Sequence, residues 1–197
     1  MDSIILIGPR ASGKTSVGKI LAARSGLPFL DADAVFSKLY GSISDYQKEH
    51  GWEKFRSRET AMLEQICASN LHSRIILAAG GGAVAHNNGL AYRERNVQVL
   101  RNFGYVFYLL PYKNLGMSAV ILQDRVENDA ASASQRPPLT DIADPYEAML
   151  SILEPRDYLY RKAAHHVIYT ARKTSEQVAD DICAVIMRET TPKLVRL

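Results

Sequence analysis

Cysteine is scarce in this chain. The two present, Cys67 and Cys183, lie in helix-like apolar stretches without the spacing of a zinc site or a disulfide framework, so both are expected as free, buried thiols. No apolar run approaches the roughly 20 residues that span a bilayer. Met1, Asp2 and Ser3 lead directly into a short apolar strand, without the basic segment and long apolar stretch of a targeting signal. An excess of one charge is missing too: 24 Lys and Arg stand against 21 Asp and Glu, leaving a formal net charge of +3. That is too small and too dispersed to make nucleic acid or a membrane surface the main partner. There is no internal repeat and no low-complexity tract. The expectation is a soluble, cytoplasmic monomer, and 197 residues suffice for one domain with a sizeable core but not for two full ones.

What is present is an alternation of short, β-rich apolar runs with longer segments of helical period, the pattern of βαβ units around a parallel sheet. Five strands are predicted over Ile4–Ile7, Pro28–Asp31, Arg74–Ala79, Tyr105–Leu110 and His166–Thr170. Helices are predicted over Lys14–Ser25, Ala34–Tyr40, Ile43–Glu49, Glu53–Ser69, Leu90–Arg101, Ser118–Glu127, Pro145–Ala163 and Thr174–Arg188. Residues 128–144 are poor in apolar side chains and hold two adjacent prolines, which reads as a mobile loop, and residues 189–197 read as a frayed tail.

Gly8-Pro9-Arg10-Ala11-Ser12-Gly13-Lys14-Thr15 fits the GxxxxGK[ST] pattern between a strand and a helix, the context that a phosphate-binding loop requires. Glycines let backbone N–H groups turn inward around phosphate oxygens, and the helix N-terminus adds a favourable dipole. Lys14 is placed to reach the β- and γ-phosphates of ATP and Thr15 to ligate Mg²⁺, so Ala11, Ser12, Gly13, Lys14, Thr15 and Ser16 form the predicted nucleotide contact. A merely structural glycine-rich turn is the competing reading.

Five further elements are weak singly. Asp31 and Asp33 stand two residues apart at the end of the second strand; an extended backbone there turns both to one side, facing the phosphate site. Such acids hold Mg²⁺ through water or take the proton of an acceptor hydroxyl. A cap for the helix starting at Ala34 is the competing reading of Asp33. In Phe55-Arg56-Ser57-Arg58-Glu59 the planar fork of Arg56 suits a carboxylate, although a surface pair with Glu59 or Glu53 is the plainer account. Gly80, Gly81 and Gly82 after the third strand let a small molecule lie against bare backbone, beyond what a tight turn needs. Arg136, ahead of Pro137 and Pro138, suits a flap that brings a cation to a transferring phosphate; a solvated loop arginine is the alternative. Arg156 lies on a helix whose Tyr158 and Leu159 are available for packing. The His165-His166 pair is read as a core or edge feature rather than a metal site, and Trp52 as a packing residue.

Taken in order, these elements resemble the shikimate kinases, within the nucleoside-monophosphate-kinase-like P-loop proteins. The resemblance runs from about Ile4 to about Arg188 and is carried by the P-loop, Leu30-Asp31-Ala32-Asp33, Phe55-Arg56-Ser57-Arg58-Glu59, Gly80-Gly81-Gly82-Ala83, Arg136-Pro137-Pro138, and Arg156 ahead of Tyr158-Leu159-Tyr160. It implies a three-layer α/β P-loop kinase fold with a five-stranded parallel sheet, substrate-binding helices near residues 33–61 and a mobile lid near residues 128–144. The implied activity is transfer of the γ-phosphoryl group of Mg-ATP to the 3-hydroxyl of shikimate, a step toward chorismate and the aromatic amino acids. Asp33 would bind the shikimate hydroxyls, Arg56 and Arg156 would clamp its carboxylate, and Gly80, Gly81 and Gly82 would line its site with Gly81 against the ring. Asp31 would sit near Mg²⁺ or act as base, Arg136 would close over the phosphates, and Arg125 and Arg172 look like the family's adenine-side arginines.

The chain departs from that pattern in four places. Ala11 stands where the family usually has a further glycine, Pro138 replaces an apolar residue whose packing Leu139 takes over, and residues 86–104 and 111–129 form longer segments than usual. Two other functions fit part of the pattern. A kinase for another polyol acid such as gluconate is opposed by the paired Arg56 and Arg156 with the triple glycine, and a non-catalytic nucleotide-binding regulatory module by the retention of Lys14, Thr15, both aspartates and Arg136.

Overall fold

Side chains along the central strand alternate between two faces, and both faces are apolar. In β1 (Ser3–Ile7) Ile4 and Leu6 point one way, Ile5 and Ile7 the other, and all four are buried, so the strand needs cover on both sides. The computed structural model, which describes residues 3–87, 89–128 and 142–190, supplies it. β2 (Phe29–Asp31), β3 (Ile76–Ala78), β4 (Gly104–Leu110) and β5 (His166–Tyr169) join β1 in a wholly parallel sheet of order β2-β3-β1-β4-β5. Ile5 lies opposite Leu77 on one side and Val106 on the other. One face carries α1 (Lys14–Ser25) and α7 (Ser175–Thr190), whose Val17, Leu21, Val178 and Ile182 pack on Ile4, Leu6 and Phe107. The other carries α2 (Ala32–Tyr40), α3 (Ile43–Ser69), α4 (Leu90–Phe103), α5 (Leu115–Glu127) and α6 (Pro145–Ala163). This is the three-layer α/β fold expected from the alternation. No helix among the described residues is long and apolar enough to cross a membrane.

Differences from expectation lie at the element ends, where caps decide. α2 begins at Ala32 rather than Ala34 because the Asp31 carboxylate accepts from the N–H groups of Asp33 and Ala34. α5 begins three residues early because Asn114 caps it through the N–H of Met117. Thr174 and Gln177 cap each other's backbone N–H groups at the start of α7, which runs on through Thr190, into the tail expected to fray. α3 contains the two helices predicted, broken at Gly51 with φ 77° and ψ 167°. Residues 86–104 and 111–129 contain the crossover helices α4 and α5. Cys67 and Cys183 are both free, but only Cys67 is buried as expected; Cys183 is half-buried at the edge of its cluster. His165 has an edge role, its Nδ1 accepting from the Val106 N–H.

An aromatic cluster ties α2 to α3. Phe36 stands 4.9 Å from Tyr40, 5.2 Å from Tyr46 and 4.9 Å from Phe55 between ring centroids, and is 1% exposed. Phe55 adjoins Arg56, so the cluster fixes where that arginine enters the molecule. Phe36→Ala should cost about 3–5 kcal/mol, the usual range for emptying a buried aromatic site, read as a lower urea midpoint at unchanged slope. A midpoint within error of the parent would mean that α2 and α3 are held by other contacts.

Candidate active site

The loop between β1 and α1 folds around the start of that helix. Gly13 holds φ 95° at the N-cap, no side chain caps α1, and its first turn has no acid, so its leading N–H groups face the loop interior, where an anion is favoured. Lys14 Nζ donates to the carbonyls of Gly8 at 2.9 Å and Pro9 at 2.8 Å, which ties the ammonium across the loop mouth. Arg125 reaches from α5 to the Ala11 carbonyl at 3.2 Å. Ala11 itself sits at φ 60°, a left-handed conformation that costs a residue with a Cβ roughly 1–2 kcal/mol. The loop thus keeps the shape its glycines allow, with local strain where the further glycine is missing.

A cavity of about 620 Å³ opens over this loop, lined by residues 10–17, Asp31, Asp33 and Arg125, with Thr170, Lys173 and Thr174 on its far wall. Arg172 is in the adjoining turn at φ 58° but is not part of that wall. The Thr15 hydroxyl donates to Asp31 Oδ2 at 2.6 Å. Among the described residues no three His, Cys, Asp or Glu converge. The hydroxyl and carboxylate suit a small hard cation that keeps several waters and takes its other oxygens from phosphate, as Mg²⁺ does.

The two aspartates do not share one extended side. Asp31 is the cap and contacts Thr15, whereas Asp33 is already in the first turn of α2. The capping role weighed for Asp33 therefore belongs to Asp31. Asp33 and Arg10 are the two residues that line both this cavity and a second one of about 500 Å³.

That second cavity is bounded by Arg56, Glu59, Gly81, Gly82 and Arg156, with Trp52, Phe55, Val126, Met149 and Ile152 as apolar wall. Arg56 is 5% exposed and pairs with Glu59 at 2.6 Å, which is the expected i,i+3 contact, but in the interior rather than on the surface. Its guanidinium lies 5.3 Å from the Trp52 ring and 4.9 Å from the Phe55 ring. Burial pushes the Glu59 carboxyl upward; Arg56 opposes that push and Asp33 adds to it.

The triple glycine is bare for a reason the sequence did not supply. A Cβ on Gly80 would come within 2.7 Å of Asp33 Oδ1 and 3.0 Å of Glu59 Oε1, and one on Gly82 within 2.4 Å of Arg56 Nη2. The protein's own charged side chains occupy that space. Gly80 lines neither cavity, while Gly81 and Gly82 line the second. Tyr158, expected to pack, is 68% exposed, and Tyr160 is the buried tyrosine of α6. Arg136, Pro137, Pro138 and most of the segment read as a lid lie outside the described residues. Site-lining residues missed in the sequence include Arg10, a variable position of the P-loop pattern, and Glu59, whose signal was its place three residues after Arg56.

The chain is similar to known proteins over most of its length. A family model described as shikimate kinase matches residues 10–187. A shikimate kinase of Oleidesulfovibrio alaskensis is 38% identical over 169 residues, 85% of this chain and 88% of that protein. Shikimate kinase 2 of Yersinia enterocolitica is 33% identical over 189 residues, 95% of this chain and 97% of that one. Among solved structures, shikimate kinase from Acinetobacter baumannii in complex with shikimate aligns with a TM-score of 0.80 and 29% identity, covering 96% of this chain and 95% of that one. A gluconokinase from Sinorhizobium meliloti aligns at TM-score 0.60 with 16% identity over 95% of this chain and 93% of that one, a likeness of fold alone.

Removing the charge from Glu59 tests the buried pair. Glu59→Gln leaves the Arg56 cation in the interior without its adjacent counter-ion, and chemical denaturation should register a loss of about 3 kcal/mol. Undiminished stability would show that Arg56 does not depend on Glu59.

Proposed function

The chain belongs to the shikimate kinase family, and on that premise we propose that it transfers the γ-phosphoryl group of ATP to the 3-hydroxyl of shikimate. The observation that carries the reading is the meeting of two cavities, one over the P-loop and one beside a buried arginine, at Asp33 and Arg10. A phosphoryl group held in the first is within reach of a hydroxyl held in the second. Arg56 Nε is buried and has no hydrogen-bond partner among the described residues, which supports the arrival of an acceptor carboxylate there. Arg156, on the same cavity, completes the clamp.

The acceptor oxygen attacks the γ-phosphorus as the bond to the bridging oxygen of ADP breaks. Asp33, which borders both cavities, takes the acceptor's proton. Lys14 turns from the loop carbonyls to the β- and γ-phosphate oxygens, and the N–H groups at the start of α1 hold the same oxygens. Thr15 would hold a Mg²⁺ ion directly and Asp31 would hold it through water, and the ion would supply positive charge against the phosphate oxygens. Arg136 adds a further cation from the lid, and Arg125 and Arg172 serve the nucleotide side. The proposal keeps the single domain, the acceptor region of residues 33–61, the monomeric state and the cytoplasmic setting read from the sequence.

ADP release with shikimate, quinate, gluconate and no acceptor tests the assignment: release with shikimate alone is expected, and release only with another acceptor would overturn it. Two variants then separate the cavities. Lys14→Ala should lower kcat by roughly 100-fold or more, and near-normal turnover would remove the lysine from the mechanism. Arg56→Ala should raise the KM for shikimate much more than it alters kcat, since the carboxylate is bound equally in ground and transition states. An unchanged KM would refute the clamp.

A further inference from the structure

Tyr160 is fully buried, yet its polar end does not face an apolar wall. It lies one helical turn after Arg156, so the two side chains share a face of α6. Its hydroxyl donates to the carbonyl of Gly81, and the Arg156 guanidinium lies beside it, near enough to favour the phenolate. A hydroxyl has one proton, and with that proton committed to Gly81 the oxygen turns its lone pairs to the guanidinium. The ring is held in turn. It stacks on Tyr108 at 4.9 Å and 24°, the Tyr108 hydroxyl donates to Asp157 at 3.0 Å, and Asp157 pairs with Arg161 at 2.7 Å.

We propose that Tyr160 is a positioning residue of the acceptor site, one buried oxygen that sets both the carboxylate-binding Arg156 and the Gly81 backbone beside the acceptor. This rests on the reading of the second cavity as the shikimate site. Fixing the Gly81 carbonyl also fixes the direction of the Gly82 N–H at the other edge of the same peptide plane. Both glycines line the cavity, so the hydroxyl governs its backbone floor as well as one of its cations. Burial pushes the phenol up to about 12, against the lowering effect of Arg156 and Arg56, so the donor keeps its proton across the working range of pH. Tyr160 does not touch the reacting atoms. Its effect is on how the acceptor is held.

The experiment compares Tyr160→Phe with Tyr108→Phe, each of which removes one oxygen from the same stacked pair. The readouts are KM for shikimate, KM for ATP, kcat, melting temperature, and shikimate binding without ATP followed by the fluorescence of Trp52, which lines the cavity. Tyr160→Phe should weaken shikimate binding and raise its KM roughly tenfold, with less than about a twofold change in KM for ATP, as expected for loss of an interaction with a charged partner. Tyr108→Phe should leave the shikimate KM near the parent value. In an Arg156→Ala background, Tyr160→Phe should raise the shikimate KM by less than it does alone, because part of its effect passes through that arginine. An unchanged shikimate KM in Tyr160→Phe would overturn the proposal. So would equal effects of the two Phe variants, fully additive effects with Arg156→Ala, or a Tyr160→Phe chain that fails to fold while Tyr108→Phe folds. If the parent protein releases no ADP with shikimate, the acceptor assignment itself fails, before any variant is compared.

Discussion

The second cavity depends on one ion pair, Arg56 with Glu59, held at 2.6 Å where both side chains are nearly inaccessible. Removing two ions from water costs several kcal/mol each, so such a pair persists only where geometry and further contacts offset the loss. Here the guanidinium is flanked by the Trp52 and Phe55 rings and one edge of it presses on Gly82. Glu59 and Asp33 press in the same way on Gly80. The pair therefore dictates the composition of the loop after β3, and the aromatic cluster of α2 and α3 dictates where the pair can stand. Asp33 is drawn into the same arrangement, since it reaches Gly80 from the start of α2 while also bordering the phosphate cavity.

Strand order brings this assembly next to the nucleotide loop. β1 lies between β3 and β4, so the loops leaving the carboxyl ends of β1 and β3 are neighbours although they are some seventy positions apart in the chain. A Cβ on Gly81 would lie 3.6 Å from the Arg10 nitrogen, so the two loops run in contact. That contact explains why the cavities share Arg10 and Asp33 instead of being separated by a wall. Parallel pairing with both faces covered makes this adjacency rigid, because neither loop can shift without disturbing strands buried on both sides.

Much of the fold was legible because its signals are local. Alternating apolar runs announced the strands, Gly13 stands at the predicted helix start, and the gap between the helices predicted over Ile43–Glu49 and Glu53–Ser69 holds Gly51, where α3 breaks. The P-loop motif marked the loop over which the first cavity opens. Three-dimensional crowding was not legible. No periodicity distinguishes Tyr158, which is exposed, from Tyr160, which is buried two positions later on the same helix; the direction of α6 against β4 decides. The exchange of roles between Asp31 and Asp33 turned on one helix starting two residues earlier than expected. Glu59 was visible as a letter in a motif, but its burial depends on where α3 meets the loop after β3. For the same reason the glycines looked like an invitation to a ligand when two of them make room for side chains of the protein itself.

On the proposed reading, acceptor choice would follow from the same pair. A site built around a buried guanidinium whose Nε has no hydrogen-bond partner among the described residues penalises any acceptor without a carboxylate, because the donor then stays desolvated and unsatisfied. The carboxylate alone would not separate shikimate from gluconate, which has one too. The wall does so, because Trp52, Val126, Met149 and Ile152 offer apolar surface to the body of the ligand. In the proposed pose a cyclohexene ring would bury hydrocarbon there while its hydroxyls gathered on one side at Asp33, whereas an open chain with a hydroxyl on nearly every carbon would have to strip water from several polar groups that find no partner. Selectivity would then come from the cost imposed on the wrong acceptor more than from added attraction for the right one, with charge choosing the acid and the apolar wall choosing the ring.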